Sequence, residues 1–274
     1  MTDRAEELRR VLLDRTRVLE PCAVLLSNGV DSNTILAAAI RNNRKPIVLS
    51  FRVAHRISTD WSAARRTADR LGLTFVDVEV SDDVDEIAAD VRWAIGLGLR
   101  KKADIECAVP VGHAINTASA LGIKTLLTGA AADGHYALSR KAVVAAHDGR
   151  LDDADWLDAF RSAYFSRTDP AQATTMRRYA ETLGVDLQAP YIDERILDLL
   201  RGTTWRQLNK PRQKMPARLA FPEIETWGVG RQHVNLQLGD SGIARNFERL
   251  LTSTYNTRGS RSVVGIYNEF ARTG

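Results

Sequence analysis

The chain has 274 residues, 44% of them hydrophobic and 26% charged, with a net charge of +4 and an isoelectric point near 9.2. That length and apolar content suffice for a substantial buried core and exclude a disordered chain. No run of about 18 apolar residues occurs, and Thr2-Asp3-Arg4-Ala5-Glu6-Glu7 has no apolar leader, which predicts a soluble, intracellular, cytoplasmic protein with no membrane partner.

The 31 Arg and 7 Lys are spread along the chain beside 34 acids. Nucleic-acid binders cluster their basic residues, so this spread disfavours nucleic acid and fits small anions such as nucleotides. Cys22 and Cys107 are too few for a disulfide framework and lack metal-site spacing, so both read as buried free thiols. Any metal would be a hard cation held by carboxylates and phosphate.

Leu8, Val11, Leu12 and Leu19 recur at helical spacing over residues 4–19. An apolar strand follows at Cys22 to Leu26, then a helix over Asn33 to Ile40. Ile47 to Arg52 reads as a second strand, Thr59 to Leu71 as a helix begun by a Thr or Asp cap, and Thr74 to Val80 as an alternating third strand. Asp83 to Leu99 and Gly112 to Leu121 are helical by period, and Lys124 to Thr128 is a fourth strand. The alternation predicts an α/β fold, a mostly parallel twisted sheet with helices on both faces. Beyond about residue 145 the pattern turns helical, at Asp152 to Phe165, Asp169 to Leu183, Asp193 to Gly202 and Ser262 to Arg272, with no convincing strand. We expect one domain over 1–274, a nucleotide-binding core at 1–145 and a helical substrate-side part at 146–274.

The segment Leu26-Ser27-Asn28-Gly29-Val30-Asp31-Ser32 turns the first strand into a helix through a loop of phosphate size. Backbone N–H groups, two hydroxyls and the positive end of a helix dipole can there meet one anion. The same residues also suit an ordinary turn capped by Asp31 or Ser32. The histidines His113 and His135 fall near strand ends, where a structural role is commoner than a base.

Four segments together resemble the synthetase domain of the asparagine synthetase and β-lactam synthetase family, a branch of the N-type (PP-loop) ATP pyrophosphatases. The first loop is similar to that family's S-G-G-x-D-S. Ser50-Phe51 with Thr59-Asp60-Trp61-Ser62-Ala63-Ala64 and Leu71-Gly72 is similar to its adenine-side strand and next helix. Leu126-Leu127-Thr128-Gly129-Ala130-Ala131-Ala132-Asp133 looks like its L-L-T-G-x-G-x-D-E element. Pro190-Tyr191-Ile192-Asp193 with Lys214-Met215-Pro216-Ala217-Arg218 is similar to its P-F-L-D segment and K-x-x-L-R helix.

The resemblance implies an adenine nucleotide α-hydrolase-like fold and the cofactors ATP and Mg2+. It places Leu26, Ser27, Asn28, Gly29, Val30, Asp31, Ser32, Ser50, Phe51, Thr128 and Gly129 on the nucleotide, Asp31 and Asp133 on magnesium, and Lys214 as the catalytic residue. The implied activity is a ligase that adenylates a carboxylate, releases pyrophosphate and passes the acyl group to ammonia or another amine. The partners would be those two small molecules and a separate ammonia-supplying or carrier subunit, since no glutaminase domain precedes the loop.

Three positions depart from the family pattern. Asn28 stands for a loop glycine and is the side chain that best tolerates positive φ. Ala130 stands where relatives carry Glu or Tyr, and Gly134 where a Glu normally follows the Asp. A nucleic-acid-modifying PP-loop enzyme and a non-catalytic nucleotide-binding relative are the competing readings. Lys214 and Arg218, four apart, are expected on one helical face.

Overall fold

The computed structural model describes all residues except Asn28, His55, Thr168, 230–240, 257–261 and Gly274. Its first helix, α1 (Thr2–Arg15), leads into β1 (Cys22–Leu25), α2 (Val30–Arg41), β2 (Ile47–Val53), α3 (Thr59–Leu71), β3 (Phe75–Val80), α4 (Val84–Gly96), α5 (Lys102–Ala120) and β4 (Thr125–Leu127). Then come α6 (Ala132–Tyr136), α7 (Arg140–Ala145), α8 (Ala154–Phe165), α9 (Ala173–Thr182) and β5 (Asp186–Gln188), and after it α10 (Glu194–Leu199), α11 (Trp205–Asn209), α12 (Met215–Ala220), α13 (Ile243–Tyr255) and α14 (Val263–Thr273).

Among the described residues five strands, all parallel, form one sheet in the order β3-β2-β1-β4-β5. Val24 is in register with Val48 on one side and Leu127 on the other. Successive side chains of a strand point to opposite faces, so each face carries its own core. Val24, Val48 and Leu127 join residues of α1, α2 and α12 on one face. Ala23, Leu25, Leu49 and Leu126 join α4, α5, α13 and α14 on the other. Strands covered on both faces are apolar throughout, and β1 is buried at all four positions.

The order reverses between β1 and β4. In a doubly wound sheet this switch point opens a crevice at the carboxyl ends of the strands, the usual place for a ligand.

Several expectations need correction. The second half is not strandless: β5 pairs with β4, Leu187 opposite Leu126. Helix α5 begins at Lys102 rather than Gly112 and runs through a buried Pro110, whose ring and missing N–H disguise the period. Strand β2 runs one residue further than expected, to Val53. The caps also differ, with Gly29 before α2 and no side-chain cap there, and Ser58 before α3 accepting from the Trp61 N–H at 3.0 Å.

Arg161 of α8 is fully buried. It pairs with Asp158 at 2.6 Å and donates to Thr203 and to the His135 and Leu200 carbonyls. A guanidinium can be buried only when its donors are satisfied in this way. It joins α6 to the helical half, and nothing in the spacing of the sequence marked it.

Candidate functional site

The loop after β1 is tied down by its own short side chains. Ser27 N–H donates to Ser32 Oγ at 3.1 Å, the Ser27 and Ser32 hydroxyls are 3.1 Å apart, and Gly29 N–H donates to Ser27 Oγ at 3.1 Å. Asn33, in the first turn of α2 and 2% exposed, donates from Nδ2 to the carbonyls of Ser27 (3.1 Å) and Gly29 (2.8 Å). Asn33 was not anticipated, and its place directly after Ser32 was its one signal. Asn28, expected on the nucleotide, lies outside the described residues.

The loop after β4 comes up against this one. Thr128 Oγ1 accepts from the Ala130 N–H at 3.2 Å. Ala131 follows at φ 67°, a left-handed backbone conformation, and turns the chain into α6. Such strain in a residue with a Cβ persists only where its surroundings enforce it. It sets Asp133 beside Asp31.

Lys214 reaches both carboxylates from the far half of the chain. Its Nζ lies 2.8 Å from Asp133 Oδ1 and pairs closely with Asp31 Oδ2. The residue is 3% exposed, so it is no solvated surface lysine. It also precedes α12 instead of belonging to it, with φ 62°. Lys214 and Arg218 therefore do not share a helical face: Arg218 pairs with Glu225 at 2.7 Å and donates to the Gln213 carbonyl. Burial works against the Lys214 ammonium, but the two carboxylates outweigh it and hold its pKa above that of an ordinary lysine.

These groups line one cavity of about 650 Å3, within the range of small-molecule sites. Leu26, Ser27, Gly29, Val30, Asp31, Ser32, Ser50, Phe51, Thr128, Gly129, Asp133 and Lys214 all border it, so every described residue of the expected site is brought together. The cavity continues between α5 and α9, past Asp104, Cys107, Tyr164, Met176 and Arg177. Gln172 donates to Asp104 there at 2.9 Å, and burial raises the Asp104 pKa. Cys107 is half-buried on this wall, a correction to its reading as a buried thiol.

At Gly134 a Cβ would sit 2.3 Å from the Tyr164 ring. The ring fills the space a side chain at this position would need. The two histidines stand apart from the chemistry. His113 lies mid-helix in α5 and pairs with Asp90 at 2.8 Å. His135 is buried, with Nε2 donating to the Tyr191 carbonyl at 2.8 Å, and desolvation lowers its pKa to about 4.

Among the described residues no group of three or more His, Cys, Asp or Glu side chains is placed to hold a metal. Two carboxylates converging on one cation do suit Mg2+, which takes one or two protein carboxylates and fills its remaining positions with phosphate and water. No helix of the described residues is long and apolar enough to cross a membrane.

Residues 4–137 match the model of the family described as Asparagine synthase. The chain is also similar to proteins named 7-cyano-7-deazaguanine synthase. That of Paramagnetospirillum magneticum is 35% identical over 95 residues, 35% of this chain and 37% of the relative. That of Kineococcus radiotolerans is 46% identical over 52 residues, 19% and 23% of the two chains. That of Synechococcus elongatus is 44% identical over 61 residues, 21% and 26%. The matched spans cover little more than a third of these curated relatives, or less.

Proposed function

Residues 4–137 of this chain belong to the PP-loop ATP pyrophosphatase family, and from that premise we propose that the protein is an AMP- and pyrophosphate-forming C–N ligase. A carboxylate oxygen of the substrate attacks the α-phosphorus of ATP and pyrophosphate leaves. The nitrogen of ammonia or another amine then attacks the acyl carbon, loses a proton, and AMP leaves.

The observation that carries this reading is the convergence of Asp31, Asp133 and Lys214 at the switch point, beside the Ser27 to Ser32 loop. The loop's N–H groups and the N-terminus of α2 favour the pyrophosphate portion of ATP. Asp31 and Asp133 would hold Mg2+, which when bound neutralises phosphate charge. Lys214 supplies a compact positive charge against the charge that builds as the amine attacks. The lobe between α5 and α9 has room for the acyl group, with Ala130 leaving open the space that relatives fill with Glu or Tyr.

The relatives' name favours a second reading, in which the adenylated carboxylate is borne on a heterocyclic base. Pyrophosphate release from ATP, screened across amino acids and heterocyclic carboxylic acids with and without ammonia, separates the two. Asp31→Asn and Asp133→Asn should each cut Mg2+-dependent release far more than they lower the melting temperature. Equal loss of activity and stability, or nucleotide phosphates bound elsewhere, would overturn the assignment.

A further inference from the structure

The two carboxylates expected to hold the divalent ion already share a cation of the protein's own. Asp31 follows β1 and Asp133 follows β4, and both close on the Lys214 ammonium, which burial seals from water. The protein holds this ammonium firmly in place. The Lys214 backbone sits at positive φ, its N–H donates to Asn209 Oδ1 at 3.3 Å, and Asn209 is itself fixed by donating to the Tyr136 carbonyl at 3.0 Å.

Two positive ions cannot both occupy the space between one pair of carboxylates. The Coulomb cost of a divalent ion about 4 Å from an ammonium is several kcal/mol even at the effective dielectric of a protein surface. With only two carboxylates from the protein, the divalent ion has little to offset that cost until phosphate oxygens add ligands and negative charge. The same phosphates give the ammonium another anion to pair with.

We propose, resting on the reading above, that Lys214 is the resident cation of the Asp31–Asp133 pair and admits a divalent ion only together with the nucleotide polyphosphate. Lys214 thereby acts twice. Without nucleotide it keeps two carboxylates together that would otherwise repel, and with nucleotide it is released toward the reacting groups. Free divalent ions are excluded from an empty site, and metal and nucleotide enter as one unit.

Binding of Mn2+ alone, followed by electron paramagnetic resonance, tests this on the whole protein with and without a non-hydrolysable ATP analogue. Wild type should take up Mn2+ only with the analogue. Lys214→Met, of similar length and uncharged, should bind Mn2+ without nucleotide about tenfold or more tightly than wild type. Equal nucleotide-free affinity in the two proteins would overturn the proposal. A second measurement needs no variant: the 15N resonance of the Lys214 ammonium, slowed in exchange by its burial, should shift when Mg2+ and the analogue are added together and stay put with Mg2+ alone. A shift with Mg2+ alone counts against the gate. Loss of all analogue-dependent Mn2+ binding would instead overturn the function proposed above.

Discussion

A Cβ placed on Gly129 would lie 2.8 Å from the backbone nitrogen of Ser32. The loop after β4 thus touches the first turn of α2 with no room for a methyl group. Gly129→Ala must push the two loops apart, and overpacking of this kind costs about 1–3 kcal/mol. Because the displaced atoms belong to the loop proposed to hold the phosphates, ATP affinity should fall by roughly tenfold or more. Thermal denaturation and titration with a fluorescent ATP analogue check both effects. Unchanged ATP affinity would place the phosphates away from this contact.

Lys214→Ala should cut turnover by roughly 10²-fold or more, the usual scale for one preorganised electrostatic group, with modest change in ATP affinity. Lys214→Arg should rescue poorly, because a planar fork cannot sit between two carboxylates as a compact ammonium does. Steady-state pyrophosphate release decides this. Wild-type rates in Lys214→Ala would remove it from the chemistry.

Tyr164 and Gly134 should behave as a coupled pair. Gly134→Ala forces the ring away, with an expected cost of about 1–3 kcal/mol. In a Tyr164→Ala background the same substitution should cost less than about half as much, and urea denaturation of the four proteins measures the coupling. Additive costs would mean that the ring does not fill the space beside Asp133.

His135 predicts a pH dependence of stability. Its pKa in the folded protein, about 4, lies below that of an unfolded histidine, near 6.5. The unfolded chain therefore takes up the proton first. The folded state keeps its full stability above about pH 6.5 and loses up to about 3 kcal/mol as the pH falls toward 4. His135→Gln retains an N–H donor for the Tyr191 carbonyl and should flatten this slope. Urea midpoints at pH 7 and pH 5 check it, and an identical slope in the variant would point to other groups.

The first four strands were legible because each is a short apolar run bounded by turn residues, and Thr59 to Leu71 was read to the residue. Strand β5 was not, since three residues with one buried side chain leave no period to detect. Helix α13 was missed entirely, although Ile243, Ala244, Phe247 and Leu251 form its buried stripe. Asp31, Asp133 and Lys214 could be named from motif order, but their meeting could not. It depends on two backbone conformations, at Ala131 and Lys214, that local sequence disfavours and tertiary contacts impose. The expected shared face of Lys214 and Arg218 failed for that reason.

Helix α1 is fastened to the far part of the chain: Arg9 donates to the Ala220 carbonyl at 2.6 Å and Arg4 to that of Arg201 at 3.1 Å. During synthesis, then, α1 is made roughly two hundred residues before the carbonyls it must touch. Strands β1 to β4 can pair before that, but the ammonium that completes the carboxylate pair arrives only with residue 214. The nascent chain carries the Ser27 to Ser32 loop long before it carries Lys214. A half-made copy can hold the outline of the cleft without the means to use it.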